Sequence, residues 1–397
     1  MFQPLCPLHV ELKEPKNVTN KEFVPRSGHR VAVDDKYLYC WGGYNPEFWE
    51  EENTENTAYP LLKELWRYKI WTGEWKLLNT HGEVPSELAS HNIIKLQNHL
   101  LHFGGTGVPF GNANTNCVYD LDLDTLEWKI LLKPKTEDAE NRNIPRAKYG
   151  HSMTQVGSCI YIVGGTCGYV YDCDVHKLDL RSLVWEEIPA KSKYLPEPRY
   201  RHEVIYYKEK LLMFGGGAGA GYSAFRLSKV DVFDLNEQTW ENVMTGPSER
   251  NFQQASMEEY PGSRRCHSCV KLKDDVYVAG GLAPDGIQGD IWRFHLPTYQ
   301  WTALEVPFPK PVYFHSAAVT NDGCMFILGG VSRIDDTRTN ALQIMWLQVP
   351  QLKLLAWNTV ARSLKLSLCK HRGAVQHHDL GGTSGPALEF SIDSGTW

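Results

Sequence analysis

The sequence predicts an all-β protein built as a six-bladed β-propeller. Three features support this prediction: six Gly-Gly pairs, a histidine before each pair and a tryptophan after most of them. The pairs begin at Gly42, Gly104, Gly164, Gly215, Gly280 and Gly329, and successive pairs are 49 to 65 residues apart. The histidines, 13 or 14 residues before the pairs, are His29, His91, His151, His202, His267 and His315. The tryptophans are Trp75, Trp128, Trp185, Trp240 and Trp301. Such a regular register indicates one supersecondary unit copied six times.

Each unit carries signals for four short strands. The histidine opens the first strand, and the second is a hydrophobic run that ends at the glycine pair, as in Lys36 to Gly42. The third is an alternating run such as Leu65 to Tyr68, and the fourth contains the tryptophan. Four short strands separated by turn residues are typical of a propeller blade. We expect the glycines to permit close backbone approach and each tryptophan to pack between neighbouring blades.

The sixth unit lacks a fourth strand. Residues 341–347 supply its third strand, but no tryptophan strand follows before Pro350. Because an open edge would promote aggregation, another segment must close the ring, and the alternating run from Leu8 to Leu12 is the free candidate. The predicted divisions are an N-terminal closing segment at 1–22, the propeller at 23–349, a helical segment at 350–368 and a Gly- and Ser-containing disordered tail at 369–397.

The composition is that of an intracellular scaffold. The net charge of −6 argues weakly against nucleic acid as a partner. No apolar run approaches the length of a membrane span, so no membrane association is expected. The 10 cysteines are scattered, which is typical of reduced thiols. We therefore expect a cytoplasmic and nuclear protein.

The histidines and cysteines do not form a convincing catalytic or metal site. Equivalent histidines of successive blades would be separated around the ring, so they should serve the fold by satisfying loop backbone groups. Cys266 and Cys269 flank His267 and Ser268 like half of a zinc site, but no second cysteine pair stands at ligand spacing. No nucleophile–base motif is present. We predict a non-catalytic protein without metal or other cofactor.

The residues that differ between copies indicate a binding site. The two residues before each histidine should lie where propeller loops converge on the central channel. They include Arg201, Arg265, Tyr149, Tyr200, Tyr313 and Phe314. An arginine in a partly dry pocket can bind a carboxylate through two parallel hydrogen bonds, and tyrosines supply flat walls. We predict that the two arginines bind the carboxylate of a peptide, within a pocket that also includes Tyr222 and Ser223. Arg199 and Arg264, three residues before their histidines, are predicted to be structural.

The segment after the ring has the pattern of an amphipathic helix. Leu352, Ala356 and Val360 recur at i, i+4 and i+8 and form one apolar face. This helix could pack against the propeller. Its spacing also resembles the BC-box, the motif by which substrate receptors bind elongin B and elongin C.

From about Arg26 to Trp357, the chain resembles the kelch-repeat substrate receptors of cullin-2 RING ubiquitin ligases. The resembling stretches extend beyond the repeat consensus and include 26–30, 41–46, 64–68, 103–107, 199–203, 264–270 and 311–315. The resemblance implies a subunit that binds the extreme C-terminus of target proteins, favouring glycine or alanine ends, and presents them to elongin B, elongin C and cullin-2 for ubiquitination. It also implies roles in quality control of alanine-tailed products of stalled ribosomes and in oxidative-stress signalling.

The chain departs from this family at two places. In a related receptor for diglycine ends, arginines after the fourth-blade glycine pair and a serine two before the fifth-blade histidine contact the carboxylate. Here those places hold Gly217 and Arg265, so the positive charge has moved to Arg265 and Arg201. No clear cullin box follows between Leu364 and Lys370. The alternative function is a kelch scaffold that binds a signalling or cytoskeletal partner without ligase activity.

Overall fold

The computed structural model describes residues 9–13, 15, 21–48, 60–134, 141–219, 223–248, 259–333, 335 and 337–349. These residues form six mainly antiparallel sheets of four or five strands, one for each predicted blade, together with a two-stranded hairpin and a short 3-10 turn at Pro46–Phe48. The prediction of an all-β six-bladed propeller is confirmed. The predicted helix at 350–368 and tail at 369–397 lie outside the described residues and stay predictions.

The strands of the first half of the chain build three blades. The first in sequence is β1 (Val10–Lys13). Blade 1 comprises β2 (Arg30–Val33), β3 (Tyr37–Trp41), β4 (Leu65–Lys69) and β5 (Glu74–Leu78). Blade 2 comprises the short β6 (His81–Gly82), β7 (Asn92–Leu96), β8 (His99–Phe103), β9 (Val118–Asp122) and β10 (Glu127–Leu132). Blade 3 comprises β11 (Ser152–Val156), β12 (Cys159–Thr166), β13 (Tyr171–Asp179) and β14 (Val184–Glu187).

The second half builds the remaining blades. Blade 4 comprises β15 (Glu203–Tyr207), β16 (Lys210–Phe214), β17 (Lys229–Asp234) and β18 (Thr239–Met244). Blade 5 comprises β19 (Ser268–Leu272), β20 (Asp275–Ala279), the small hairpin β21 (Leu282–Ala283) and β22 (Gly286–Ile287), β23 (Ile291–His295) and β24 (Gln300–Ala303). Blade 6 comprises β25 (Ser316–Val319), β26 (Cys324–Leu328), β27 (Leu342–Trp346) and β1. The first strands of successive blades contact one another in a closed circuit around the axis.

The N-terminal strand closes the sixth blade, as the sequence predicts. Strand β1 pairs antiparallel with β27 over Val10–Lys13, with Val10 opposite Met345. In blade 1 the corresponding register position holds Trp75, opposite Tyr68. Val10 therefore replaces the tryptophan, and it is buried in a cluster that blades 5 and 6 share. Residue Leu8 of the predicted strand lies outside the described residues.

The tryptophans join neighbouring blades. Trp128 of blade 2 lies 4.8 Å from Trp41 of blade 1, measured between ring centroids, and both are fully buried. Trp301 of blade 5 packs in the same way against Phe214 of blade 4. Each such ring removes roughly 150–250 Å² of largely apolar surface from water. The predicted packing of tryptophans between blades is confirmed.

The histidines and glycines also form a contact between blades. A Cβ atom added to Gly42 would lie 2.7 Å from Cε1 of His91, which belongs to the next blade. A Cβ atom on Gly105 would in turn lie 2.0 Å from the carbonyl oxygen of Glu87. His91 Nδ1 lies 3.0 Å from the Leu88 carbonyl oxygen, which agrees with the predicted structural role of the histidines. The first glycine is thus required because the next blade occupies the space of a side chain, and the second because residues before the first strand of its own blade occupy it.

Candidate functional site

A ring of backbone hydrogen bonds encircles the propeller axis. Its members are the residues directly before the six histidines, namely Gly28, Ser90, Gly150, Arg201, Cys266 and Phe314. Each donates its amide N–H to the carbonyl oxygen of the equivalent residue in the preceding blade, at 2.7 to 3.1 Å. The circuit closes where Gly28 donates to Phe314. This ring ties all six blades together at one face of the propeller.

All six members adopt left-handed backbone conformations. Their φ values lie between 54° and 65°, including those of Arg201 and Phe314. A side chain in this region costs roughly 1–2 kcal/mol. The ring requires the same conformation from every member to close, so the hydrogen bonds offset this cost at positions where glycine is absent. The sequence shows the register of these residues but not the bonds between them.

A cavity of about 300 Å³ opens above this ring. Four of the predicted site residues line it: Tyr149, Tyr200, Arg201 and Phe314. Blades 1, 2 and 6 contribute the remaining walls, which include Tyr44, Ser90 and Phe110. The structure therefore brings together an arginine and several aromatic side chains from different blades, at the place where the sequence predicts their convergence.

Arg201 is the cation without a protein partner at the bottom of this cavity. Its guanidinium makes no hydrogen bond or ion pair with any residue that the structure describes, and its Nε atom is buried and unsatisfied. The guanidinium carbon lies 4.4 Å from the centroid of Phe314 and 5.8 Å from that of Tyr200. Burial lowers the pKa of Arg201, but an arginine side chain stays protonated. A partly buried cation that lacks a counter-charge is unfavourable, so the site suits an anionic ligand.

A second arginine at the cavity, Arg338, escaped the sequence prediction. It follows the glycine pair of blade 6, at a place where the repeat shows no common pattern. Its Nε donates to Ser27 Oγ at 3.0 Å, and its guanidinium lies 5.1 Å from the ring of Tyr44. Both neighbours also line the cavity. Arg338 adds a positive charge on the side of blades 1 and 6.

Arg265 and Tyr313 do not line the cavity. Arg265 is half-buried, and a Cβ atom on Gly217 would lie 3.0 Å from its Cδ. Tyr313 is buried in a cluster with Cys266 and Val331, against which the β21–β22 hairpin of blade 5 packs through Leu282 and Ile287. The hairpin belongs to blade 5, which contributes no residue to the cavity lining, whereas blades 1 to 4 and blade 6 do. The predicted pairing of Arg265 with Arg201 on one ligand therefore has no support from the cavity lining.

The other predicted site residues lie elsewhere. Ser223 is exposed and its hydroxyl donates to the Ala218 carbonyl oxygen. Tyr222, like the elongin-binding candidates Leu352, Ala356 and Val360, lies outside the described residues.

Three arginines that precede their histidines by three residues are structural, as predicted for Arg199 and Arg264. The guanidinium groups of Arg26, Arg199 and Arg264 form ion pairs within their own blades with Glu64, Asp231 and Asp290, at 2.7, 2.7 and 2.6 Å. Each also donates to the carbonyl oxygen of the first glycine in its own pair. All three are almost completely buried. Their charges are therefore neutralised inside the propeller and do not contribute to the cavity.

Exposed apolar side chains border the cavity on the side of blades 2 and 3. Phe110 lines the cavity but is 48% exposed, and Tyr169 is 83% exposed. The loops that carry them are joined by Asn114, whose Nδ2 donates to the carbonyl oxygens of Gly111 and Cys167 at 2.9 and 2.8 Å. The Tyr169 hydroxyl also donates to Asn112 Oδ1 at 3.3 Å. The two loops thus form a continuous rim, here called the blade 2–3 rim.

The described residues offer no alternative site for a metal ion. Among them, no group of three His, Cys, Asp or Glu side chains is arranged to hold one. Burial raises the pKa of Cys266 to about 11, and the cysteines in these ranges are free thiols. None of the helices in the described part is long and apolar enough to cross a membrane.

Comparison with known proteins identifies the repeat. Residues 28–258 match the family described as the KLHDC2/KLHL20/DRC7 Kelch-repeats domain, and residues 263–305 match the Kelch motif. Kelch domain-containing protein 10 of Homo sapiens is 42% identical over 335 residues, which cover 84% of this chain and 72% of that protein. Kelch domain-containing protein 10 homolog of Drosophila melanogaster is 32% identical over 380 residues, 90% of this chain and 61% of that protein. Kelch domain-containing protein 1 of Mus musculus is 26% identical over 77% of this chain and 75% of that protein. Repeat, propeller and identity agree, and the chain belongs to the Kelch domain-containing protein 10 family.

Proposed function

We propose that this chain is a receptor for protein C-termini, with the terminal carboxylate of its ligand bound to Arg201. The observation that supports this most directly is the unpaired, half-buried guanidinium at the bottom of the cavity, whose Nε atom is buried and unsatisfied. An internal peptide segment has no charge to offer it, whereas a free C-terminus carries one carboxylate that can accept two parallel hydrogen bonds. Arg338 adds attraction for the same charge from the opposite wall.

The dimensions of the cavity support a small chain end. Its volume of about 300 Å³ lies at the lower end of the range for ligand pockets. Tyr149, Tyr200 and Phe314 are flat and rigid walls, so a bulky last residue would have to displace them. Terminal glycine or alanine suits this space. The residues upstream of the terminus would then pass over the blade 2–3 rim, where exposed Phe110 and Tyr169 offer apolar contacts.

The proposed cellular role is that of a non-catalytic substrate-recognition subunit of a cullin-RING ubiquitin ligase, in cytoplasm and nucleus. The propeller would bind the target, and Leu352, Ala356 and Val360 would bind elongin B and elongin C, with cullin-2 beyond them. Antiparallel order within blade 6 gives this role some support. Strand β26 ends at the cavity face, next to Gly329, so β27 runs away from it and the chain leaves the propeller at the opposite face.

Peptide binding tests the first step of this proposal. Fluorescence anisotropy would compare a labelled peptide that ends in Ala-Ala with a free carboxylate and the same peptide with an amidated end. A charge-assisted contact is worth roughly 1.5–3 kcal/mol, so we expect amidation and Arg201→Met each to weaken binding by about tenfold to a hundredfold.

The arginine variants localise the effect. Arg338→Met should weaken binding less than Arg201→Met, because Arg338 shares its guanidinium with Ser27. Arg333→Met, an exposed arginine in the same blade 6 loop, is the matched control and should bind like the parent. Arg265→Met tells whether this half-buried residue contributes. Equal affinity for free and amidated peptides would contradict the proposal and favour the kelch scaffold alternative.

A further inference from the structure

An ion pair crosses the central channel of the propeller. Arg30 is the first residue of β2 in blade 1, and Glu203 is the first residue of β15 in blade 4. These blades are three apart in a ring of six and therefore face each other. Nη1 of Arg30 lies 2.9 Å from Oε1 of Glu203, and the side chains are 19% and 18% exposed. The guanidinium also donates from Nε to the His91 carbonyl oxygen at 3.1 Å, which ties it to blade 2 as well.

This ion pair lies next to the proposed carboxylate site. Glu203 follows Arg201 by two residues, at the start of the same strand, so both belong to the part of blade 4 that borders the axis. Arg30 is close enough to Arg201 that its charge adds to the effect of burial in lowering the pKa of Arg201. Two cations and one carboxylate thus share the channel mouth, and their pairing decides which cation stays available.

The observed pairing is not the one that sequence proximity favours. An acidic residue two positions from an arginine is its nearest potential partner along the chain, and a pair between Glu203 and Arg201 would cancel the charge in the cavity. It would also leave a carboxylate beneath the ligand, where it would repel another anion. In the structure, Arg30 engages Glu203 from across the channel, and Arg201 has no carboxylate partner among the described residues.

We infer that Arg30 is a positioning residue for the site: by holding the Glu203 carboxylate across the channel, it keeps Arg201 available for a ligand carboxylate. This inference rests on the proposed function. It adds that one residue of blade 1, which need not touch the ligand, sets the charge state of a site built largely by other blades. It also implies that the Glu203 carboxylate would weaken ligand binding if its ion pair with Arg30 were broken.

A double-mutant cycle at these two positions tests the inference. The probe is the Ala-Ala peptide with a free carboxylate, and thermal unfolding is recorded for each variant. Arg30→Gln releases Glu203 and should weaken binding by about tenfold, the scale of one lost charge-assisted contact. Glu203→Gln should bind at least as tightly as the parent. The double variant Arg30→Gln/Glu203→Gln should regain affinity to within about threefold of the parent, since no carboxylate remains to occupy Arg201.

The cycle separates positioning from a structural role. If Arg30 only braced the channel, the double variant would bind no better than Arg30→Gln, and that result would overturn the inference. The inference would also be overturned if the parent protein prefers the free carboxylate to the amide and Arg30→Gln binds the free peptide as tightly as the parent does. A parent protein that binds both peptides equally contradicts the proposed function itself. Should Arg30→Gln fail to fold, Arg30→Met, which keeps the aliphatic stem but not the charge, serves instead: weaker binding that Glu203→Gln restores supports the inference, and unchanged binding refutes it.

Discussion

Mild acid should destabilise this propeller, because the folded chain buries several histidines in the neutral form. His102 shows the reason most clearly. Trp41 Nε1 donates to His102 Nδ1 at 3.2 Å, so Nε2 carries the proton and lies 3.0 Å from the Gly104 carbonyl oxygen. A second proton on Nδ1 would face the indole N–H. Burial lowers the pKa of His102 and of His202 to about 3 and that of His315 to about 4.

The direction of the effect follows from these lowered values. In the unfolded chain a histidine has a pKa of about 6.5, so the unfolded state binds more protons than the folded state between that pH and the folded-state values. The stability contributed by the neutral histidines is therefore complete above about pH 6.5 and is lost as the pH falls below it. Each such histidine reduces the free energy of unfolding by about 1.4 kcal/mol per pH unit, or about 2 kcal/mol at pH 5. His102, His202 and His315 together remove about 6 kcal/mol, which is comparable with the whole stability of a typical domain.

Urea denaturation followed by tryptophan fluorescence measures this effect. The free energy of unfolding would be determined between about pH 7.5 and pH 5 at constant ionic strength. The exposed His81 provides the control, since His81→Gln removes an exposed histidine without changing the buried set. We expect the parent and His81→Gln to lose stability with the same slope. A free energy of unfolding that falls by less than about 1 kcal/mol over this range would refute the idea that the buried histidines are neutral for lack of solvation.

Two further predictions concern the ends of the propeller. Val10→Asp places a charge in the buried position where the other blades have tryptophan, so it should lower the melting temperature strongly, whereas Glu11→Gln on the exposed side of the same strand should not. An unchanged melting temperature for Val10→Asp would show that β1 is not needed for closure. Leu352→Asp should abolish co-purification with elongin B and elongin C, and Lys353→Asp, beside it on the polar side of the predicted helix, should not. If the two variants co-purify equally well with elongin B and elongin C, the alternative interpretation of this segment as a packing helix should be preferred.

The repeat made most of the fold predictable from the sequence. Each blade contains the same three markers, and the structure gives each a local reason: Gly42 lies against His91 of the next blade, and Trp128 lies against Trp41 of the previous one. Such contacts recur at fixed spacing, so they leave a periodic pattern. The closing strand was predictable by elimination, although Val10 in place of tryptophan shows that closure keeps the register and changes the side chain.

The cavity was predictable only in part, since it depends on what differs between blades. Tyr149, Tyr200, Arg201 and Phe314 were found because the register places them at the channel mouth. Arg338 was missed because it lies in a loop without a repeated pattern. Arg265 pairs with Leu282 of the β21–β22 hairpin, and blade 5 contributes no residue to the cavity lining. The repeat register predicts the position of a residue within its blade, but the length and packing of single loops decide which residues share a cavity.

Two arginines of blade 4 show how the propeller separates stability from binding. Arg199 and Arg201 are two residues apart, yet Arg199 is paired with Asp231 at 2.7 Å and Arg201 has no such partner among the described residues. Loss of one partner from a buried pair costs roughly 3–5 kcal/mol, so Arg199 belongs to the fold. Arg201 instead keeps a half-buried charge that the described residues do not neutralise. Arg26, Arg199 and Arg264 are neutralised within their blades and Arg30 pairs with Glu203, so under the proposed function the charge of Arg201 is available to a ligand.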